Sequence, residues 1–388
     1  MECWTKAIDE VKQHDLYRGI VSYQPLDAVH VEAQGERYLL LATNNYLGLT
    51  HSLAVQQAVM AAVVQYGTGS GGARLTTGSH PLYEKLEQEL AVFKGSEAAL
   101  VFNTGYMANV GIISAVVDRD DVIFSDALNH ASIIDGCRLA KGHTVVYGHA
   151  DMAHLARLLM DTPCSGKRFI VTDGVFSMDG DIAPLDKIVK LAEEYQAMVM
   201  VDDAHAVGVL GQGGRGTVDY FGLQGRVEIQ VGTLSKSLAA EGGYVAGSRA
   251  LINYLVNKAR SFIFSTALSP GTVAAGYAAL QELQVHPELV DTLRSNGDYV
   301  RKALRSAGLQ IEAGVTPILP IMVGEAAVAV KMAQQLKEQG LIVSAIRPPT
   351  VMPGASRLRL TVSAAHDKVD LARAVDIIIA VSKQLNLI

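Results

Sequence analysis

The chain has 388 residues, 49% hydrophobic and 19% charged, a globular composition with ample apolar material for a large core. Its 33 Lys and Arg against 39 Asp and Glu leave a formal charge of −6, which argues against a nucleic-acid binder with a global basic field but leaves small anionic ligands open. Mean hydropathy is +0.21, yet no stretch approaches the roughly 18–20 uninterrupted apolar residues of a spanning helix, so no membrane association is expected.

Residues 1–40 read as a helical arm and a short hairpin. The start, Met1-Glu2-Cys3-Trp4-Thr5, has no basic patch leading into an apolar core, so no signal peptide is expected. Cys3, Cys137 and Cys164 stand at unrelated spacings without a CxxC, which points to a reduced, cytoplasmic setting. From about 45 to 285, helical and strand patterns alternate. The spacing predicts a helix over 53–66 and strands over 98–103, 122–125, 144–147, 169–172, 198–201, 229–232 and 244–246. Among the helices between them, Leu185, Ile188, Leu191, Ala192 and Tyr195 share one face, with Pro184 suited to the first turn and Asp181 just upstream. Such alternation predicts an α/β/α domain on a mostly parallel, doubly covered seven-stranded sheet. Beyond 285, helices near 285–307 and 325–339 alternate with strands near 317–323, 341–346 and 357–362, a smaller α+β domain. The expected organisation is an N-terminal arm over 1–44, a large domain over 45–285 and, with the arm, a small domain over 286–388, its boundary near His286-Pro287.

Two glycine runs imitate a dinucleotide fingerprint. Gly67-Thr68-Gly69-Ser70-Gly71-Gly72 matches it, with Glu87 about 20 residues on, but a helical pattern precedes it where the fingerprint needs a strand. Gly211, Gly213 and Gly216 match the same spacing, and no helix is expected directly after them. A flexible turn or a lid is the plainer reading of both.

Four polar features fall at the carboxyl ends of predicted strands, where open α/β sheets bind ligands. Asn103-Thr104-Gly105-Tyr106 opens a helix, and its free N–H groups can cradle a phosphate or simply make an ordinary β–α turn. Asp202-Asp203-Ala204-His205 ends an apolar strand. Asp202 can hold a ring nitrogen and His205 can reach the same flat ligand; Asp203 as a helix cap and a metal pair are the alternatives, and no third ligand of suitable spacing supports the metal. Thr233-Leu234-Ser235-Lys236 sets a lysine among small residues, where a confined amine becomes nucleophile and base, against the ordinary reading of a solvated charge. Asp173-Gly174-Val175-Phe176-Ser177 offers the Ser177 hydroxyl, or a turn-forming serine. His130, in Asn129-His130-Ala131-Ser132, can stack on a flat ring or merely begin a helix. A lysine, an acid for a ring nitrogen, a phosphate cradle and a stacking imidazole together suit pyridoxal 5′-phosphate (PLP) better than any other common cofactor.

These motifs, with Asn44-Asn45-Tyr46-Leu47-Gly48-Leu49 and Ser125-Asp126-Ala127-Leu128-Asn129-His130, resemble those of the α-oxoamine synthases, fold-type I PLP enzymes of the class-II aminotransferase kind. The resemblance runs from about Leu16 to His366. Within the group, Ala345-Ile346-Arg347-Pro348-Pro349-Thr350 and the run from Arg357 through Arg359 to His366 are most similar to members that join L-alanine to a pimeloyl thioester. The resemblance implies that Lys236 carries the cofactor, Asp202 pairs with its pyridine nitrogen, His205 contacts the ring hydroxyl and His130 stacks on the ring. It further implies that Ser177 lies beside the cofactor, that Thr233, Gly105 and Tyr106 anchor it, and that Arg18, Asn44, Thr350 and Arg359, with Arg347 as a lesser candidate, line the substrate side. The implied partners are L-alanine and pimeloyl-CoA or pimeloyl-acyl carrier protein, in a homodimer in which Ser265 and Thr266 reach the neighbour's phosphate. Ala239 departs from the family, which often has glycine there; one added methyl is expected to tighten that loop slightly. The competing readings are a sister enzyme that takes glycine with acetyl-CoA or succinyl-CoA, an NAD-dependent oxidoreductase using the first glycine run, and a PLP-binding protein without turnover.

Overall fold

The computed structural model describes residues 2–13, 17 and 19–388, so Arg18 lies outside the described residues. Two compact units emerge, Asn44–Arg294 and, jointly, Met1–Thr43 with Ser295–Ile388.

The first unit is built on seven strands: β1 (Ala98–Phe102), β2 (Val122–Asp126), β3 (His143–Tyr147), β4 (Arg168–Asp173), β5 (Ala197–Asp202), β6 (Ile229–Thr233) and β7 (Gly243–Gly247). They lie in the order β1-β7-β6-β5-β4-β2-β3. The pairs among β2 to β6 are parallel, and β7 alone runs against both of its neighbours. Every residue of β1, β2, β6 and β7 is buried, which is why these segments read as continuous apolar runs rather than alternations. Successive residues feed opposite layers. Ile123, Val171 and Met200 join one core with the helix α1 (Gly105–Val116), whereas Val122, Phe124, Ile170, Val199 and Val201 join another with Leu155, Leu185 and Ile188.

The observed strands extend past several predicted ends in one consistent way. Asp126, Asp173, Asp202 and Thr233 are polar and read as punctuation, yet each is the last residue of its strand. Backbone pairing ignores side-chain polarity, so the ladder continues through them; Asp173 lies directly opposite Asp202. The expected helix over 53–66 forms as Leu53–Tyr66 and ends at Gly67, and the next helix starts only at Pro81, so the first glycine run has neither strand before it nor helix after it. The second run departs from expectation: the one-turn helix Thr217–Tyr220 follows Gly216 at once. It forms because the Thr217 N–H and hydroxyl both turn onto the Asp203 carboxylate.

In the second unit, the hairpin His30–Ala33/Glu36–Leu40 turns at Gln34 (φ 55°) and Gly35 (φ 82°), the two left-handed residues that a tight hairpin requires. The single strand predicted over 341–346 is two. Leu341–Ile342 pairs in parallel with Glu36–Leu40, and Ser344–Ile346 pairs antiparallel with Ser356–Thr361, which also pairs with Ile318–Gly324. Arg359 sits on the central strand of this three-stranded sheet.

His366 fastens the chain beyond that strand. Its Nδ1 accepts from the Ser363 N–H at 2.9 Å, its Nε2 lies 2.9 Å from the Leu40 carbonyl, and Asn296 bonds the Ser363 and His366 carbonyls. Burial holds the imidazole pKa down at about 4, against the opposing pull of the Leu40 carbonyl. The unfolded chain therefore takes up this proton first. The contribution is complete above the usual histidine value of 6.5 and is lost as pH falls toward 4, a change on the order of 3 kcal/mol. Urea midpoints measured across that window are expected to fall for the native chain, and His366→Gln is expected to flatten the fall. An identical pH dependence in the variant would remove His366 from the account. Among the described residues, no helix is long and apolar enough to cross a membrane.

Candidate active site

The ends of β1, β2, β4, β5 and β6 converge on a cleft of about 180 Å³. The sequence-predicted Gly105, Tyr106, His130 and Ser177 line it, and so do Asp202, His205, Thr233 and Lys236. A larger groove of about 570 Å³ on the same unit is lined by Arg74, Glu87 and Phe262 among others but by no lysine, histidine or cysteine. Its Arg74 is already engaged by Glu87 at 2.9 Å and stacked over Tyr83 at 3.6 Å. The lysine and the two histidines gather in the smaller cleft.

At the end of β1, the Thr104 hydroxyl caps α1 by accepting from the Met107 N–H at 3.0 Å. The first intrahelical bond runs from the Ala108 N–H to the Thr104 carbonyl, so the N–H groups of Gly105 and Tyr106 point out of the helix start, where an anion is favoured. β7 runs hard against this turn: a Cβ at Gly243 would come 2.5 Å from the Gly105 nitrogen. The Tyr106 ring is exposed and its hydroxyl is bonded to Asp135.

At the end of β5, both Asp202 oxygens accept hydrogen bonds, from the Ala204 N–H at 2.8 Å and from Asn109 Nδ2 at 2.6 Å. The facing Asp173 is pushed well above the usual carboxylate pKa by burial and then by the Asp202 charge, while the His130 N–H, donating at 2.7 Å, offsets part of this. His205 is buried, with Nδ1 2.7 Å from the Tyr46 hydroxyl. Asp203, which the sequence left as a possible helix cap, takes the Thr217 N–H at the start of the helix Thr217–Tyr220 and also forms a fully buried ion pair with Lys94 at 2.8 Å.

At the end of β6, Thr233 donates to the Gly242 carbonyl at 2.8 Å and accepts from the Ser235 N–H at 3.2 Å. Lys236 follows in a loop closed by the Ala239 N–H on the Lys236 carbonyl at 3.2 Å. Ala239 has φ 51°. A left-handed non-glycine residue costs roughly 1–2 kcal/mol, which glycine avoids.

His130 caps the helix α2 (Ala131–Leu139) through its own ring, Nδ1 accepting from the Ser132 N–H. Burial of its inner edge holds the ring's pKa below the usual histidine value; Asp202 opposes this and Lys236 adds to it. Behind the cleft, His149 bridges Asp126 and Asp181 at 2.9 Å each, and its pKa is pushed up to about 10 by the hydrogen bonds to Asp126 and then Asp181. It thus ties the turn before His130 to the loop after Ser177.

Of the predicted substrate residues, Asn44 belongs to this unit, 3.3 Å from the Tyr46 hydroxyl. Arg347, Thr350 and Arg359 belong to the other unit, where Arg347 donates to the Tyr17 carbonyl and Arg359 is buried. Thr266 bridges Ala73, and its carbonyl accepts from Asn103.

A lysine amine, an aspartate with both oxygens hydrogen-bonded, an imidazole beside a phenol, and outward N–H groups at a helix start are chemically suited in turn to the aldehyde, ring nitrogen, ring hydroxyl and phosphate of PLP. Comparison with known proteins agrees. The 8-amino-7-oxononanoate synthase of Lysinibacillus sphaericus is 47% identical over 383 residues, covering 99% of this chain and 98% of its own. A solved structure of SPT with PLP superposes with TM-score 0.96 at 31% identity, covering 100% of this chain and 99% of the other. An 8-amino-7-oxononanoate synthase structure from Francisella tularensis gives TM-score 0.76 at 30% identity, covering 90% and 99%. Matched by the family model from residue 36 to residue 378, the chain belongs to the aminotransferase class I and II family, with the fold-type I architecture and PLP as its cofactor.

Proposed function

We propose that the chain catalyses the decarboxylative condensation of L-alanine with a pimeloyl thioester, pimeloyl-CoA or pimeloyl-acyl carrier protein, to 8-amino-7-oxononanoate, CO2 and free thiol, a step of biotin biosynthesis, as a cytoplasmic homodimer. The observation that carries this is the 47% identity, end to end, with a protein named for that product.

When bound, PLP supplies an electron sink for the bonds broken at the amino acid Cα. Lys236 would carry the cofactor until the amino group of alanine takes its place there, and the ε-amino group so freed would take the Cα proton and later return one. Asp202 holds the proton on the pyridine nitrogen, an interaction set in place before reaction. His205 contacts the ring hydroxyl, His130 stacks on the ring and Ser177 lies beside it. Thr233, Gly105 and Tyr106 hold the phosphate. The new bond joins Cα to the acyl carbon as the C–S bond breaks and the thiolate takes up a proton; the carboxylate then leaves as CO2, and Lys236 protonates Cα. Both substrates are carboxylates, which guanidinium forks bind bidentately, and Arg359 takes that role, with Arg18, Asn44, Thr350 and Arg347 on the substrate side.

A second reading, a serine acyltransferase, draws on the TM-score of 0.96 with SPT, spelled out for a related structure as serine palmitoyltransferase. The PLP-loaded chain, given alanine, glycine or serine with pimeloyl, acetyl, succinyl or palmitoyl thioesters, separates them by product mass. Amino-oxononanoate and CO2 from alanine with a pimeloyl donor are expected. Faster turnover of any other pair overturns the proposal.

A further inference from the structure

We propose that Ser132 and Asn109 are positioning residues that lock His130 in a single tautomer, with its proton on Nε2, and join the stacking imidazole to Asp202. The inference rests on the reading in which His130 lies against the cofactor ring.

The Ser132 backbone N–H approaches His130 Nδ1 at 3.2 Å. A backbone N–H only donates, so Nδ1 is an acceptor and carries no proton; in a neutral ring the proton is then on Nε2. The Ser132 hydroxyl reaches the same Nδ1 at 2.7 Å. Its oxygen accepts from Asn109 Nδ2 at 2.9 Å, so its own hydrogen turns to the imidazole. The other hydrogen of that amide goes to Asp202 Oδ2 at 2.6 Å. Donation thus runs outward from Asn109 in two directions, to Asp202 and, through Ser132, to His130.

The orientation of the amide is determined. Asn109 and Ser132 are each 1% exposed, and Asn109 Oδ1 is buried with no hydrogen-bond partner. Flipping the amide would place that oxygen against the Asp202 carboxylate, so Asp202 selects the orientation in which Nδ2 donates. Asp202 orients Asn109, Asn109 orients Ser132, and Ser132 sets His130. A proton on Nδ1 would oppose the Ser132 N–H and force the Ser132 hydroxyl to turn its hydrogen away from the imidazole. The consequence for the reaction is that the stacking ring stays uncharged beside Lys236 and a protonated cofactor ring, and presents Nε2–H as a donor.

Long-range proton–nitrogen NMR of the full chain labelled with 15N-histidine, with and without PLP, tests this. His130→Gln supplies the assignment. Native His130 is expected to be neutral at pH 7 with an unprotonated Nδ1. Ser132→Ala removes the hydroxyl donor but keeps the backbone N–H on Nδ1, so it is expected to raise the His130 pKa by about one unit while the neutral ring keeps its proton on Nε2, with the pH profile of the bound-cofactor absorption moving by a similar amount; Ser132→Thr is expected to restore both the pKa and the profile. A proton on Nδ1, or a charged ring at pH 7, in the native chain overturns the proposal without any variant. So does a Ser132→Ala chain with the native His130 pKa. These signals do not depend on which amino acid or thioester is turned over, so a failure of the acyl-transfer reading leaves them standing.

Discussion

Lys236→Ala is expected to lose the absorption band of lysine-linked PLP and to lower turnover at least about ten-thousand-fold, while folding as the native chain does. The size follows from the two roles assigned to one amine. Proton transfer by a placed side chain contributes about 10²–10⁴, and the covalent attachment that precedes it is lost as well. The fold should survive because Lys236 is only partly exposed loop, outside the apolar layers. The surrounding frame is held by bonds that do not involve its side chain: Thr233 to the Gly242 carbonyl, the Ser237 hydroxyl to the Val207 carbonyl, and the Ala240 N–H to the Leu234 carbonyl. Visible absorption, product mass and far-ultraviolet circular dichroism on one preparation separate the roles from a folding defect. A variant that keeps the band, or turns over within tenfold of native, removes Lys236 from the centre of the reaction.

Much of this architecture was legible because local chemistry repeats its meaning. Doubly buried strands are written as apolar runs, and the run from Ile229 to Gly232 announces β6 without tertiary information. Lys236, Asp202 and His205 were legible because polar side chains after such runs have few structural reasons to be there. What stayed hidden is what depends on distant partners. Tyr46 and His205 are 159 residues apart, and Asn109 and Asp202 are 93 apart; no periodicity records either pairing. Asn109 did leave a trace, as the one amide in the otherwise apolar and small-residue helix α1. Lys94 left none. A lysine just before Gly95 at a helix end reads as an ordinary favourable charge at a helix C-terminus, and only the folded chain reveals it as buried. The run 341–346 misled for a related reason. Only Ser344 interrupts its apolar residues, but its two halves find different partner strands, and pattern alone does not say where one sheet ends.

That hidden lysine carries the largest stability effect expected in the molecule. Lys94 Nζ lies 2.8 Å from Asp203 Oδ2 and 2.6 Å from the Arg215 carbonyl, with both charged side chains wholly out of solvent. Lys94→Ala would leave the Asp203 carboxylate buried with only the Thr217 N–H and hydroxyl as donors. Removing one partner of such a pair costs about 3–5 kcal/mol, because the remaining charge has neither water nor a counter-ion. Against a typical total of about 5–15 kcal/mol, that is a large fraction. The pair itself need not be stabilising, so Lys94→Met with Asp203→Asn is expected to recover most of the loss: the asparagine oxygen still accepts from Thr217, and no net charge is buried. The effect also reaches the cofactor. The Asp203 N–H bonds the Val231 carbonyl at 2.8 Å and so fixes the backbone directly after Asp202. Lys94→Ala is accordingly expected to weaken PLP binding as well as lower the urea midpoint, and the double variant to restore both together. A single variant within about 1 kcal/mol of native stability would mean that the Asp203 carboxylate finds solvent or a proton at little cost, and the buried pair would then explain neither the folded edge of β5 nor the position of Asp202.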